Sequence, residues 1–247
     1  TFVSWNWKAN GGTTSSNTDG DITSTVQVNS TAGFSIVTYS GNGSASLQVG
    51  HGLGTTPDLV IQKNRSGFGG QSWNVWGNNL GFTRLALDNS NADAGNYGIS
   101  FSSTTITLPN INDNAWSNTG GEYLLYVFKS IEGYSKFGSY TGNGNADGTF
   151  VYTGFRPAFV LVKNTSTSGT AWNMLDSTRN TFNPEKSYIN ANESNAEANF
   201  NIYDFLSNGF KAVNGGSTFN NSGSTHIYMA FAENPFVTSS GVPVVAR

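Results

Sequence analysis

The sequence predicts an all-β protein: two tandem β-sandwich, jelly-roll-like repeats of about 100 residues each. Three observations predict it. They are an internal repeat, a composition of turn formers and aromatics at low charge, and apolar alternation at period two.

The repeat sets the architecture. Ser35-Ile-Val-Thr-Tyr-Ser-Gly-Asn-Gly43 returns as Lys136-Phe-Gly-Ser-Tyr-Thr-Gly-Asn-Gly144. Pro57-Asp-Leu-Val-Ile-Gln-Lys-Asn64 returns as Pro157-Ala-Phe-Val-Leu-Val-Lys-Asn164, and Trp73-Asn74 as Trp172-Asn173. Glu122-Tyr-Leu-Leu-Tyr-Val-Phe-Lys129 matches Thr225-His-Ile-Tyr-Met-Ala-Phe-Ala232. Four matches in one order imply one supersecondary plan used twice.

Composition agrees. Among 247 residues there are 30 glycines, 13% are aromatic and only 11% are charged. Gly, Asn and Ser suit tight turns, while Tyr, Phe and Trp suit half-buried pleated faces. Twelve Lys+Arg against 15 Asp+Glu give a formal charge of −3, so no basic face is expected for a nucleic acid or an anionic membrane. There are no cysteines, which excludes disulfides, thiolate metal sites and cysteine nucleophiles. No run reaches the length of a membrane-spanning helix, so no membrane insertion is expected.

The elements follow in order. Thr1-Phe-Val-Ser-Trp-Asn-Trp-Lys8 resembles Tyr123–Lys129, so residues 1–30 read as the closing strand of an upstream repeat followed by a polar linker. A stub strand needs a neighbouring sheet or another chain. Residues 31–130 form the first repeat, 131–236 the second, and 237–247 a C-terminal tail. Alternation through Phe34–Tyr39, Leu59–Ile61, Leu85–Leu87 and Ile99–Leu108 marks strands, and Gly41-Asn-Gly, Gly142-Asn-Gly and Ser207-Asn-Gly mark turns. Ser194–Ala198 is the one stretch that reads as a helical turn.

Several blocks carry a resemblance. Asp147-Gly-Thr-Phe-Val-Tyr-Thr-Gly-Phe-Arg-Pro-Ala-Phe-Val-Leu-Val-Lys163, Asp204-Phe-Leu-Ser-Asn-Gly-Phe-Lys211, Ile227-Tyr-Met-Ala-Phe-Ala-Glu-Asn-Pro-Phe236 and the opening Trp5-Asn-Trp-Lys-Ala-Asn-Gly-Gly12 resemble a tandem-repeat β-sandwich structural family of marine and cyanobacterial phages. The resemblance spans nearly the whole chain. It implies a place in the virion or its tail and contact with other virion proteins, and it supplies neither an activity nor a set of binding residues.

The residues offer little catalytic chemistry. His51 and His226 have no counterpart in the other repeat, and no Gly-x-Ser-x-Gly elbow accompanies them. Asp176, Glu185, Glu193, Glu197 and Asp204 gather in the second repeat, which leaves a polysaccharide-degrading enzyme as a remote alternative. Asn17-Thr-Asp-Gly-Asp21 and Asn143-Gly-Asn-Ala-Asp-Gly148 resemble calcium loops but lack the terminal Glu, and tight turns demand the same residues. No metal and no cofactor is expected. Arg156 and Arg179 are suited to holding carboxylates.

A sugar site pairs an exposed aromatic platform with hydrogen-bonding side chains. Trp73 and Trp172 sit at matching places, as core residues would. Trp76 has the opposite parity to Trp73, so alternation turns it outward, with Asn78 on the same face. Trp116 lies in the polar stretch Asn112–Asn118 beside Asn114. Trp76, Asn78, Trp116 and Asn114 are therefore the candidate ligand-binding residues. The expectation is a non-enzymatic phage surface protein: a tail-fibre or adhesin-type segment that binds host surface glycans from the virion exterior. The alternative is a capsid decoration or head fibre without a ligand. The missing disulfides, the stub strand and the open-ended repeat point to a homo-oligomer, a trimer if it belongs to a fibre.

Overall fold

The computed structural model describes residues 3–66, 71–95, 97–110 and 113–235. Its elements are β1 (Ser15–Asn17), β2 (Ser24–Asn29), β3 (Phe34–Ser40), β4 (Gln48–Gly50), β5 (Leu59–Asn64), β6 (Asn74–Gly77), β7 (Leu85–Ala86), β8 (Ser100–Phe101) and β9 (Thr105–Thr107). They continue with β10 (Glu122–Phe128), β11 (Ser135–Thr141), β12 (Phe150–Tyr152), β13 (Pro157–Asn164), β14 (Asn173–Asp176), β15 (Glu185–Asn190), β16 (Ala198–Leu206), β17 (Gly209–Ala212) and β18 (Thr225–Ala232). The protein is all-β, and among the described residues there is no helix. Ser194–Ala198 is not the helical turn expected: residues 194–197 are irregular and β16 starts at Ala198.

The chain divides into two compact units, residues 1–73 with 96–129, and residues 74–95 with 130–247. The sequence boundary at 130 leaves residues 74–95 with the first repeat, whereas they group with the second unit. Hydrogen bonds explain the grouping. The Trp172 indole N–H donates to Ala86 O (2.8 Å), Asp93 N to Thr165 O (2.9 Å) and Gly169 N to Ser90 O (2.9 Å).

In the first unit the strands run β1-β2-β3-β10-β5, and β4-β9-β8 form a second, three-stranded sheet. Residues expected to be linker supply β1 and β2. Thr25-Val-Gln-Val28 alternates, Val26 is buried, and the Ser24 hydroxyl donates to Gly50 O (2.7 Å). Between these strands Ile22 bridges Val49 of β4 in parallel, Asp21 N donates to Gln48 O (3.0 Å) and the Asp21 carboxylate accepts Gln48 N (2.8 Å). One segment thus ties the short sheet to β3. The opening stretch expected as a closing strand forms no strand over residues 3–9. Thr1, Phe2 and the tail 237–247 lie outside the described residues.

In the second unit eight strands form one sheet in the order β11-β18-β13-β14-β15-β16-β17-β12. Its apolar centre includes Tyr140, Val160, Leu175, Ile202, Tyr203, Phe205, Phe210 and Phe219. Fully burying each large apolar side chain stabilises by about 1.5–3 kcal/mol. The Tyr140 hydroxyl donates to Phe219 O (2.5 Å) and lies 2.7 Å from the Tyr203 hydroxyl, so these phenols are buried with partners.

The sequence repeat is a pairing repeat. β10 lies between β3 and β5 as β18 lies between β11 and β13. Register is kept: Tyr123 faces Tyr39 and Asn64, and His226 faces Tyr140 and Asn164. The closing asparagines act alike. Asn64 Oδ1 accepts Ser66 N (2.8 Å) and its amide donates to Asn114 O. Asn164 Oδ1 accepts Ser166 N (2.9 Å) and its amide donates to Ser217 O (2.7 Å).

Candidate functional site

Four large aromatic side chains stand exposed among the described residues, and all belong to the second unit: Phe150, Tyr152, Phe182 and Phe200. β12 positions the first two. Its middle residue Val151 is buried in the core, so period two turns Phe150 and Tyr152 outward. Tyr152 is 63% exposed.

The neighbouring strands complete the face. Phe150 lies opposite Lys211 of β17, which lies opposite Asp204 of β16; Tyr152 lies opposite Gly209, which lies opposite Leu206. Gly209 places no side chain between Tyr152 and Leu206. A Cβ there would come 2.0 Å from Val151 O and 3.1 Å from the Phe150 ring, so the close approach of β12 requires glycine. Lys211 Nζ pairs with Asp147, holding that carboxyl below its ordinary range. The Asn183 amide donates to Phe205 O (3.0 Å) and its oxygen accepts Phe205 N (2.9 Å). That clamp sets Phe182 beside the end of β16 that carries Leu206. Phe150, Tyr152 and Lys211 thus share one outer face, with the Lys211–Asp147 ion pair beside Phe150.

The family model described as "Domain of unknown function (DUF7483)" matches residues 1–235. The chain belongs to the DUF7483 family. No curated protein and no solved structure matches it.

In this DUF7483 chain the expected platforms are core residues. Trp76 is 0% exposed, because Asn74, Val75 and Trp76 of β6 are all buried and alternation has no solvent side to report. Matching Trp73 with Trp172 places Trp76 on Leu175, itself 0% exposed. Asn78 follows β6 half-buried. Trp116 is 2% exposed. Its carbonyl accepts the Tyr39 hydroxyl (2.8 Å) as Phe219 O accepts Tyr140, and its ring meets Tyr97 edge-on at 5.9 Å. Asn114 is exposed, and its carbonyl accepts the Tyr123 hydroxyl (3.2 Å). Trp116 and Asn114 belong to the first unit, Trp76 and Asn78 to the second.

Both histidines of the DUF7483 chain are buried. His51 Nδ1 accepts Leu53 N (3.2 Å), and burial holds its pKa below the usual value. Burial pulls His226 down to about 4. The suspected calcium loops spend their oxygens on turns. Asn17 Oδ1 accepts Asp19 N (3.1 Å), and Asn143 Oδ1 accepts Asn145 N (3.0 Å) and the Asn220 amide (2.7 Å). No group of three or more His, Asp or Glu is placed to hold a metal among the described residues. Arg156 binds Glu233 (2.7 Å), and Arg179 binds Asp176 (2.6 Å) and Glu197 (2.7 Å).

Sequence reasoning missed Phe150 and Tyr152. The signal was the contrast between copies: β4, which pairs with β9 as β12 pairs with β17, carries Gln48 and Gly50 beside its inward Val49.

Proposed function

We propose that this chain is a non-enzymatic surface module of a phage virion, a tail-fibre or adhesin-type segment that binds host surface glycans. Binding is assigned to the outer face of β12, β17 and β16. The observation that carries the reading is Tyr152, 63% exposed and opposite Gly209, with Phe150 and the Lys211–Asp147 pair on the same face. An exposed ring offers an apolar face to a sugar ring, and neighbouring polar groups orient its hydroxyls. Such sites are individually weak and gain from multiple copies, which suits a homo-oligomeric fibre, trimeric in this reading.

The test combines immunogold microscopy of intact particles with a glycan array. Label at tail tips or fibres, with array binding lost in Tyr152→Ala, supports the reading; particles that carry no label remove the virion role. A second reading, capsid decoration without a ligand, draws on Phe182 and Phe200, 84% and 57% exposed, since covering such rings with a protein partner removes apolar surface from water. Label over the head with no array binding selects it.

A further inference from the structure

Glu185 opens β15 in the second unit and is 1% exposed. Neither carboxyl oxygen has a hydrogen-bond partner among the described residues. A buried ionised carboxylate without partners is costly, so such a group keeps its proton or captures a cation. The charged groups that act on it are Arg156 ahead of β13, Asp176 on β14, Glu233 beyond β18 and Arg179 beyond β14. On the facing strand β16 its register partner is Tyr203, whose hydroxyl lies 2.7 Å from that of Tyr140.

Both arginines are already engaged. Arg179 holds Asp176 and Glu197, and Arg156 holds Glu233. Three carboxylates against two guanidiniums leave this cluster negative before Glu185 ionises. Arg156 also fixes the chain where it leaves β18, because Glu233 N donates to Arg156 O (2.9 Å).

We propose that Glu185 is a proton-operated switch that competes with Glu233 for the Arg156 guanidinium. With its proton, Glu185 is a neutral buried acid and the Arg156–Glu233 pair closes the end of β18. When the proton passes to solvent, the carboxylate draws Arg156 inward and Glu233 loses its partner. Burial sets the threshold, raising the carboxyl from 4.5 to about 7, with Arg156 pulling against Asp176 and Glu233. Folding raises this pKa, so its contribution to stability is complete below 4.5 and is lost as pH rises through 7.

The experiment is carboxyl-carbon NMR of the full chain labelled at glutamate, followed from pH 4 to 9. Glu185 is expected to titrate near neutrality, with the Glu233 signal moving at the same midpoint. Glu233→Gln removes a negative charge and releases Arg156, so the Glu185 proton affinity should fall at least ten-fold, one pH unit. A wild-type midpoint below 5, or a midpoint unchanged in Glu233→Gln, overturns the switch. Glu185→Gln should abolish the shared step; should that variant not fold, the wild-type and Glu233→Gln titrations still decide.

Discussion

The imidazole of His226 lies flat on the ring of Tyr140, centroids 4.9 Å apart and 11° from parallel. In the first repeat Tyr123 stacks on Tyr39 at 5.1 Å and 21°. One position therefore holds a phenol in one copy and an imidazole in the other, and the imidazole is stripped of water.

The first prediction concerns that imidazole. Folding lowers the His226 pKa from 6.5 to about 4, so its stabilising contribution is present above 6.5 and is lost as pH falls through 4, about 3 kcal/mol in all. Denaturant unfolding at stepped pH should show this loss in wild type and not in His226→Phe. Glu185 acts with the opposite sign, so the comparison is best made in a Glu185→Gln background. Equal acid slopes in the two proteins would contradict the assignment.

Trp116 and Trp76 are expected to be packing residues. Trp116→Ala and Trp76→Ala should each cost about 3–5 kcal/mol, while Trp116→Phe, which restores the ring type at the Phe219 position, should cost far less. Urea midpoints measure this. An alanine variant of unchanged stability would show that its ring carries little of the core.

Tyr152→Ala should behave in the reverse way. Its stability should stay within about 0.5 kcal/mol of wild type, because the ring is mostly in water. Its glycan binding should fall. Unfolding curves and array signals taken on one preparation separate the two effects.

Gly209→Ala tests the close approach of β12 and β17. The added methyl falls 2.0 Å from a backbone carbonyl oxygen, so the strands must part. Overpacking of this kind costs about 1–3 kcal/mol. Faster amide exchange at Val151 and Phe210 is the expected local sign.

Oligomerisation is checked by light scattering on the full chain. A mass that rises with concentration toward a trimer is expected. A single monomer mass at high concentration would remove the avidity part of the proposal.

Much of the fold was legible in the residues. The repeat matched β3, β5, β6 and β10 to β11, β13, β14 and β18, and Tyr123 and His226 keep that register in space. What misled was the use of alternation where it carries no information. Asn74-Val-Trp-Gly77 is buried on both faces, so parity could not tell Trp76 from Trp73; alignment with Leu175 does. Trp116 looked exposed because asparagines flank it. Asp113 closes the turn there, its carbonyl accepting Trp116 N (3.2 Å) and Ser117 N (3.1 Å), and the shared carbonyl contact with Tyr39 reveals the Phe219 equivalence. Ser24–Asn29 reads as linker from its polar surroundings, although Val26 and Val28 alternate with polar neighbours. The exposed pair on β12 was invisible because an aromatic in a strand usually points to the core.

The strap formed by residues 74–95 bears on inheritance. Trp172, Thr165 and Gly169 complete their hydrogen bonds on Ala86, Asp93 and Ser90, residues that the first copy of the repeat encodes. A gene fragment that starts at the repeat boundary would encode a second copy with those bonds open. Recombination that shuffles single repeats is therefore penalised. A crossover that keeps these bonds falls upstream of Asn74 rather than at Ser130.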